Sequence, residues 1–171
     1  MRKRSIHHAL AEKYPQAKVA GVDYQGERLW VGARAAKDAG ITNCFFLRAR
    51  VEMLPELLPV KADQIWITFP DPFPKDRHAK RRLTSAQYLK IYEHISSPGA
   101  TVCLKTDAPD LFAFTRDQLR EGGFRVLEEV PDVDALPADH DALLVETDFE
   151  TRHREQGRTI SFLRWEASAA Q

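Results

Sequence analysis

The segment "PDPFPKDRHAKRR", residues 70–82, places a carboxylate between two prolines and follows it with a run of cations. Proline fixes φ and lacks an N–H donor, so the two prolines hold the turn around Asp71 in one shape without strand-type hydrogen bonds. The rigid turn indicates that the position of the Asp71 carboxylate is important. The cations are opposed only by Asp76 and are Lys75, Arg77, Lys80, Arg81 and Arg82. The segment indicates an anionic partner beside a positioned carboxylate, although basic runs are also ordinary protein surface.

Polar side chains also stand at the ends of the other predicted strands. They are Asp23, Arg48, Arg50, Thr106 and Asp107. Open α/β sheets bind ligands outside the carboxyl ends of their strands. Three carboxylates, those of Asp23, Asp71 and Asp107, are therefore expected at one sheet edge with the cationic turn. This convergence is a stronger indication of a site than any single motif.

Alternating strands and helices would position these residues. The predicted strands are residues 18–23, 44–47, 64–69, 100–105, 124–130 and 159–166. The main predicted helices are 5–14, 26–40, 84–95 and 109–120, and a capping box of Thr84 and Gln87 is expected to open the third. Strands that alternate with helices predict a doubly wound, mostly parallel α/β sheet. Only a loop joins the last two strands, so one of them is expected to run antiparallel.

Composition limits the class of protein. The chain has 171 residues, with 25 Lys+Arg and 25 Asp+Glu, so its net charge gives no argument for a polyanionic partner. Cys44 and Cys103 lie in apolar runs and are expected to be reduced thiols of a cytosolic protein. His7 and His8 are adjacent and face different sides of a helix, so no metal site is expected. We expect one soluble cytoplasmic domain, monomeric or weakly dimeric.

Asp23 has two interpretations. An acid at the end of a strand in a nucleotide-binding sheet accepts hydrogen bonds from ribose hydroxyls, but an aspartate there can also cap the following helix. A dinucleotide glycine fingerprint would precede the acid by about 20 residues. That position is "MRKRSI", residues 1–6, and Gly21 is the first glycine of the chain. An NAD-dependent oxidoreductase therefore has little support.

Three motifs carry a family resemblance. "FPDPFPKDRHAKRR" (69–82), "KTD" (105–107) and "TDFE" (147–150) resemble the bacterial tRNA (guanine-N7)-methyltransferase family. The resemblance runs from about residue 9 to residue 166 with the element order preserved. It implies a class I, S-adenosylmethionine-dependent methyltransferase of Rossmann-like fold that methylates a guanine in the tRNA variable loop.

The same resemblance implies roles for single residues. Asp23 would hold the cofactor ribose, Arg50 would border the adenine, and Asp71 would lie at the junction of methyl donor and guanine. Guanine N7 has a free lone pair, so Asp71 is expected to position the base through N1–H and N2–H rather than act as a general base. The residues expected to contact tRNA are Lys75, Arg77, Asp107, Thr147 and Glu150. Thr147 and Glu150 could also form a capping box, and the two interpretations are compatible.

The chain departs from the family pattern at three places. Phe73 replaces the usual tryptophan of the proline-aspartate-proline motif, and Arg50 stands where many members have an acid. The family's N-terminal Glu-x-Gly-x-Gly segment and the strand before it have no counterpart. We therefore expect an N-terminally truncated methyltransferase domain, residues 1–171. The alternative is a catalytically inactive tRNA-binding remnant that has lost the cofactor loop.

Overall fold

The structure is a computed structural model that describes residues 6–144 and 148–169. Its elements in chain order are α1 (Ile6–Lys13), β1 (Val19–Asp23), α2 (Gly26–Asp38), β2 (Cys44–Arg48), α3 (Leu54–Leu57), β3 (Ala62–Thr68), α4 (Ala86–Ile95), β4 (Ser96–Thr106), α5 (Pro109–Glu121), β5 (Phe124–Val130), α6 (Asp141–Leu144), α7 (Asp148–Glu155) and β6 (Ser161–Ala169). Short 3-10 turns lie at Val51–Met53, Asp76–Arg81 and Val133–Ala135. Among the described residues, no helix is both long and apolar enough to cross a membrane.

The chain forms two compact units. The first comprises the residues up to Met53 together with Pro137–Gly157, and the second comprises Leu54–Leu136 together with the residues from Arg158 onward. Each unit has its own sheet. The prediction of a single domain remains a prediction.

The sheet of the first unit is a parallel pair, β1 and β2, which begins with Val19 opposite Cys44. Parallel neighbours need a crossover connection, and α2 provides it. The helix packs closely on the sheet because Gly32 leaves room for an aromatic ring: a Cβ at Gly32 would lie 2.9 Å from Cε1 of Phe46. The predicted strand–helix–strand unit is confirmed here.

A histidine joins α1 to this sheet. A Cβ at Gly21 in β1 would lie 2.5 Å from Nε2 of His7, so only glycine leaves space for the imidazole. The His7 ring also meets the ring of Phe46 edge-on, with centroids 5.2 Å apart. This packing places the half-buried His7 against the strand that ends at Asp23.

The sheet of the second unit has the order β3-β4-β6-β5. β3 and β4 are parallel, whereas β6 runs antiparallel to both β4 and β5. The prediction that one of the last two strands is antiparallel is therefore confirmed. Val102, Cys103 and Leu104 of β4 are fully buried, and they face Trp165, Arg164 and Leu163 of β6 in the register. The core of this unit thus lies along its two central strands.

The start of α4 differs from the prediction. The predicted capping box at residues 84–87 is wrong, because the helix begins at Ala86 after Ser85, which makes no side-chain capping hydrogen bond. Thr84 is fully buried and accepts a hydrogen bond from the hydroxyl of Thr115 at 2.7 Å. The Ala86 N–H donates instead to Oε1 of Gln118, at 3.1 Å, so α5 supplies the cap. A partner distant in sequence has replaced the local one.

Candidate active site

Two of the predicted site carboxylates follow neighbouring strands of the second unit. Thr68 at the end of β3 lies opposite Lys105 near the end of β4, and the next N–H, that of Phe69, donates to the Lys105 carbonyl at 2.8 Å. Asp71 comes two residues after Phe69, and Asp107 directly follows β4. Both aspartates therefore emerge at the same carboxyl edge of this sheet, where open α/β sheets bind ligands.

The turn around Asp71 is strained and holds its carboxylate by a local hydrogen bond. Phe69 and Phe73 have φ values of 48° and 41°, in the left-handed region. Such backbone costs of the order of 1–3 kcal/mol for each residue and occurs mainly at functional sites. Asp71 Oδ1 accepts a hydrogen bond from the Phe73 N–H at 3.2 Å, whereas Oδ2 has no partner among the described residues. The side chain is exposed, so this oxygen can accept a hydrogen bond from a ligand.

The cations after this turn have two different roles. Those that are exposed are Lys75, Arg77, Lys80 and Arg81. Arg81 also lies over the Phe73 ring, with its guanidinium carbon 4.6 Å from the ring centroid. Arg82 is buried, and the expectation that it belongs with the exposed cations is therefore wrong. Its guanidinium donates hydrogen bonds to the carbonyls of Pro72 and Phe73, and these bonds hold the side chain in the interior.

His78 lies against the same turn. Its ring meets the ring of Phe73 edge-on, with centroids 6.4 Å apart, and the side chain is half-buried. The Phe73 ring thus has a cationic neighbour and an imidazole neighbour. In the described parts of the chain, no group of three or more His, Cys, Asp or Glu side chains could hold a metal ion.

Asp107 has an ion-pair partner that the sequence did not indicate. Its Oδ2 lies 2.6 Å from Nη1 of Arg158, which comes 51 residues later in the chain. The Asp107 side chain is 15% exposed and that of Arg158 is 53% exposed, so the pair is open to solvent on one side. Nothing in the local sequence pattern joins the two residues. Arg158 is accordingly a component of this edge that sequence reasoning missed.

Asp23 ends β1 and is not the N-cap of α2, which is Gln25 and has no side-chain capping hydrogen bond. Its Oδ1 accepts a hydrogen bond at 2.8 Å from the N–H of Gln25, the residue that precedes α2. Its Oδ2 lies 3.6 Å from Nη1 of Arg28, a long contact to an exposed side chain. The Asp23 side chain is 25% exposed. One oxygen therefore holds the turn that leads into α2, and the other has only the long contact to Arg28 among the described residues.

The half-buried imidazole of His7 next to β1 is kept neutral. The pKa of His7 is lowered from 6.5 to about 4, mainly by burial and also by the nearby His8, whereas the charge of Asp23 opposes the shift. A charged imidazole in the space above Gly21 would lose part of its hydration, whereas a neutral one would not. The packing therefore lowers the pKa of His7.

Two further predicted site residues, Arg50 and Glu150, lie in the first unit. Arg50 is exposed, and its side chain makes no ion pair with any described residue; its carbonyl accepts from the Met53 N–H at 3.0 Å. Thr147 lies outside the described residues. Glu150 in α7 is fully buried and its Oε1 accepts from Nη2 of Arg154 at 3.2 Å. The roles of these residues toward a cofactor or tRNA remain predictions.

Comparison with known sequences gives consistent matches. A family model described as "Putative methyltransferase" matches residues 4–163. The tRNA (guanine-N(7)-)-methyltransferase of Cytophaga hutchinsonii is 33% identical over 162 residues, which are 92% of this chain and 72% of the relative. That of Mycoplasmopsis pulmonis is 34% identical over 154 residues, which are 90% of this chain and 75% of the relative. The chain thus spans about three-quarters of the length of these relatives.

Solved structures match the fold. A 16S rRNA (adenine(1408)-N(1))-methyltransferase from Catenulisporales acidiphilia, solved with the cosubstrate S-adenosylmethionine, superposes with a TM-score of 0.64. The match covers 97% of this chain and 82% of that protein at 18% identity. The likeness confirms the predicted Rossmann-like α/β fold of class I methyltransferases.

Proposed function

Because this chain belongs to the tRNA (guanine-N(7)-)-methyltransferase family, we propose that it transfers a methyl group from S-adenosylmethionine to N7 of a guanine in the tRNA variable loop. The observation that carries the proposal at the site is the turn after β3, which presents an Asp71 oxygen without a partner among the described residues beside exposed cations. The proposal also assigns the protein to the cytoplasm, because its substrate is tRNA.

The cofactor would be held on its nucleoside side by residues of the first unit. S-adenosylmethionine supplies an electrophilic sulfonium methyl group. Asp23 fits a ribose, since its Oδ2 has only the long contact to Arg28 among the described residues and its Oδ1 is already fixed by the Gln25 N–H. Arg50 is exposed after β2 and has the freedom to lie along an adenine. We assign none of the described residues to the methionine end.

Asp71 would act on guanine without removing a proton. S-adenosylmethionine would supply the methyl group and guanine N7 would supply its free lone pair, so the residues of this chain would mainly have to align the two. The purine would gain positive charge during the transfer. A carboxylate that accepts hydrogen bonds from N1–H and N2–H is placed to stabilise that charge, and the effect is strongest in a preorganised site.

The exposed cations of the turn would bind the tRNA backbone. Lys75, Arg77 and Lys80 make no ion pair with any described residue. Each is free to displace a counterion from a phosphate, a contribution that is independent of base sequence and weakens with salt. Asp107, held by Arg158, would contact the tRNA at the neighbouring strand end.

The test uses the purified protein, labelled S-adenosylmethionine and two tRNA transcripts. One transcript has an unmodified variable loop. In the other, each guanine of the variable loop is replaced by 7-deazaguanine. We expect methyl incorporation only into the first transcript, at a site where reduction and aniline treatment cleave the chain, because 7-deazaguanine has no N7 lone pair.

Two outcomes would contradict the proposal. Equal incorporation into both transcripts would show that the methyl group goes to another atom. Binding of tRNA without any incorporation would favour the alternative interpretation, in which the chain binds tRNA and does not methylate it.

A further inference from the structure

Arg82 is the one member of the basic run that the structure buries, among residues 75–82. Its side chain is 7% exposed. The Nε atom lies 3.2 Å from the carbonyl oxygens of both Pro72 and Phe73, and Nη2 lies 3.0 Å from the Phe73 oxygen. The guanidinium carbon also lies over the Phe114 ring, 4.4 Å from its centre. Asp76 is its ionic neighbour at 4.0 Å, but that carboxylate is fully exposed, so the pair adds little.

These contacts reach the Asp71 carboxylate through one peptide group. The Pro72 carbonyl and the Phe73 N–H are opposite ends of the same peptide bond, which is planar and rigid. Arg82 holds the carbonyl end, and the N–H end donates to Asp71 Oδ1 at 3.2 Å. Rotation of this peptide would therefore remove the hydrogen bond that orients Asp71.

An arginine suits this role for a geometric reason. The guanidinium is a planar fork with several fixed donors, whereas a lysine ammonium is a single charge on a flexible stem. Two carbonyls are held at once, and one belongs to Phe73, whose φ of 41° is in the left-handed region. Hydrogen bonds from a charged donor can offset the strain of that conformation.

We infer that Arg82 is a positioning residue, which fixes the Pro72–Phe73 peptide and thereby aims the carboxylate of Asp71 at the substrate base. It does not bind tRNA phosphate. The inference rests on the proposed function, in which Asp71 aligns the guanine. It separates Arg82 from the exposed cations, which would act on tRNA affinity alone.

The first test compares Arg82→Lys and Arg82→Met with Lys90→Gln, which removes an exposed cation of α4. Loss of alignment costs about 10- to 100-fold in rate, so we expect a fall of that size in kcat for both Arg82 variants. The KM for tRNA should change by less than about threefold, and Lys90→Gln should leave both constants unchanged. A rise in KM at constant kcat would overturn the inference, because it would make Arg82 a phosphate ligand.

A second test asks whether Arg82 acts through Asp71. In an Asp71→Asn background, Arg82→Lys should lower kcat by no more than about threefold further, since residues acting as one unit are not additive. If the two losses multiply, Arg82 acts independently and the inference is wrong. Thermal melting of each variant separates these effects from unfolding. If Arg82→Met does not fold, Arg82→Lys, which keeps the positive charge, still provides the test.

A third measurement does not depend on methyl transfer. Hydrogen exchange of the Phe73 amide, followed by NMR, should be faster in Arg82→Lys than in the unsubstituted protein and in Lys90→Gln. Unchanged exchange would overturn the structural claim even in an active enzyme. Faster exchange in a protein without methyltransferase activity would instead leave Arg82 as the support of the turn and refute the proposed function.

Discussion

Asp71 accepts one hydrogen bond from its own turn and has one oxygen without a partner in the described part of the chain. In Asp71→Asn the amide oxygen can still accept from the Phe73 N–H, so the turn should persist while the charge is lost. We expect kcat/KM to fall. The loss should correspond to about 2–4 kcal/mol of transition-state stabilisation, the scale of other preorganised electrostatic contacts. Methyl transfer measured on the full chain checks this, with Asp117→Asn on α5 as a control carboxylate. Turnover close to that of the unsubstituted protein would remove Asp71 from the site.

Asp23 offers a test between ribose binding and support of the turn that leads into α2. An asparagine side chain can accept the same hydrogen bond from the N–H two residues on, so Asp23→Asn should leave the melting temperature unchanged. A hydrogen bond to a charged group contributes about 1.5–3 kcal/mol, and its loss should raise the KM for S-adenosylmethionine by about tenfold or more. The KM for tRNA should not change. Asp38→Asn, at the other end of α2, is the matched control; equal cofactor KM values in both variants would leave Asp23 as a support of that turn only.

At the scale of elements, the local sequence pattern predicted most of the sheet. The apolar runs that became β1, β2 and β3 were predicted as strands, but β2 has no buried residue and β1 and β3 have one each, so the expected burial is only partly present. The antiparallel direction of β6 was predicted correctly, but the expectation that only a loop precedes it is wrong, because α6 and α7 lie between β5 and β6. In contrast, the pair of Asp107 and Arg158, 51 residues apart, depends on tertiary placement. Arg82 shows the same limit, because it follows the cations Lys80 and Arg81 in the sequence and only the structure reveals its burial.

The proposal that the exposed cations of the turn bind tRNA phosphates can be tested by the salt dependence of tRNA binding. In a triple variant with Lys75, Arg77 and Lys80 changed to Gln, we expect weaker tRNA binding and a plot of log affinity against log salt that is flatter by about one unit per lost phosphate contact. Binding of S-adenosylmethionine should not change. The control is a triple variant with Lys18, Lys37 and Lys90 changed to Gln, all exposed elsewhere. The same slope in both triple variants would make the turn an ordinary solvated surface.

For the whole molecule, charge and stability depend on where groups lie rather than on their totals. The 25 cations and 25 acids cancel, so association with tRNA must rely on a local cluster, since net charge provides no long-range attraction. The same distinction applies to histidine. The chain has six, and His7 is packed so closely against Gly21 that it remains neutral over a wide range of pH.

Folding stability should therefore decline in mild acid because of His7. Its pKa is lowered from 6.5 to about 4 by burial, with His8 adding to the shift and Asp23 opposing it. The unfolded chain binds the proton first, so the full contribution of neutral His7 is present above pH 6.5 and is lost as pH falls toward 4. Between pH 7.5 and 5 this amounts to about 2 kcal/mol of the free energy of unfolding.

Urea unfolding of the unsubstituted protein and of His7→Gln at both pH values measures that contribution. The variant has a neutral side chain at position 7 under all conditions, so we expect it to be less stable at pH 7.5 and to lose less stability on acidification. His94→Gln, which removes an exposed histidine, should retain the pH dependence of the unsubstituted protein. The unsubstituted protein and His7→Gln differ only at position 7, so the difference between their pH dependences reports His7 together with its interactions with His8 and Asp23. A parallel decline in His7→Gln and in the unsubstituted protein would mean that the imidazole is protonated in the folded state, and that the space above Gly21 accommodates a charge.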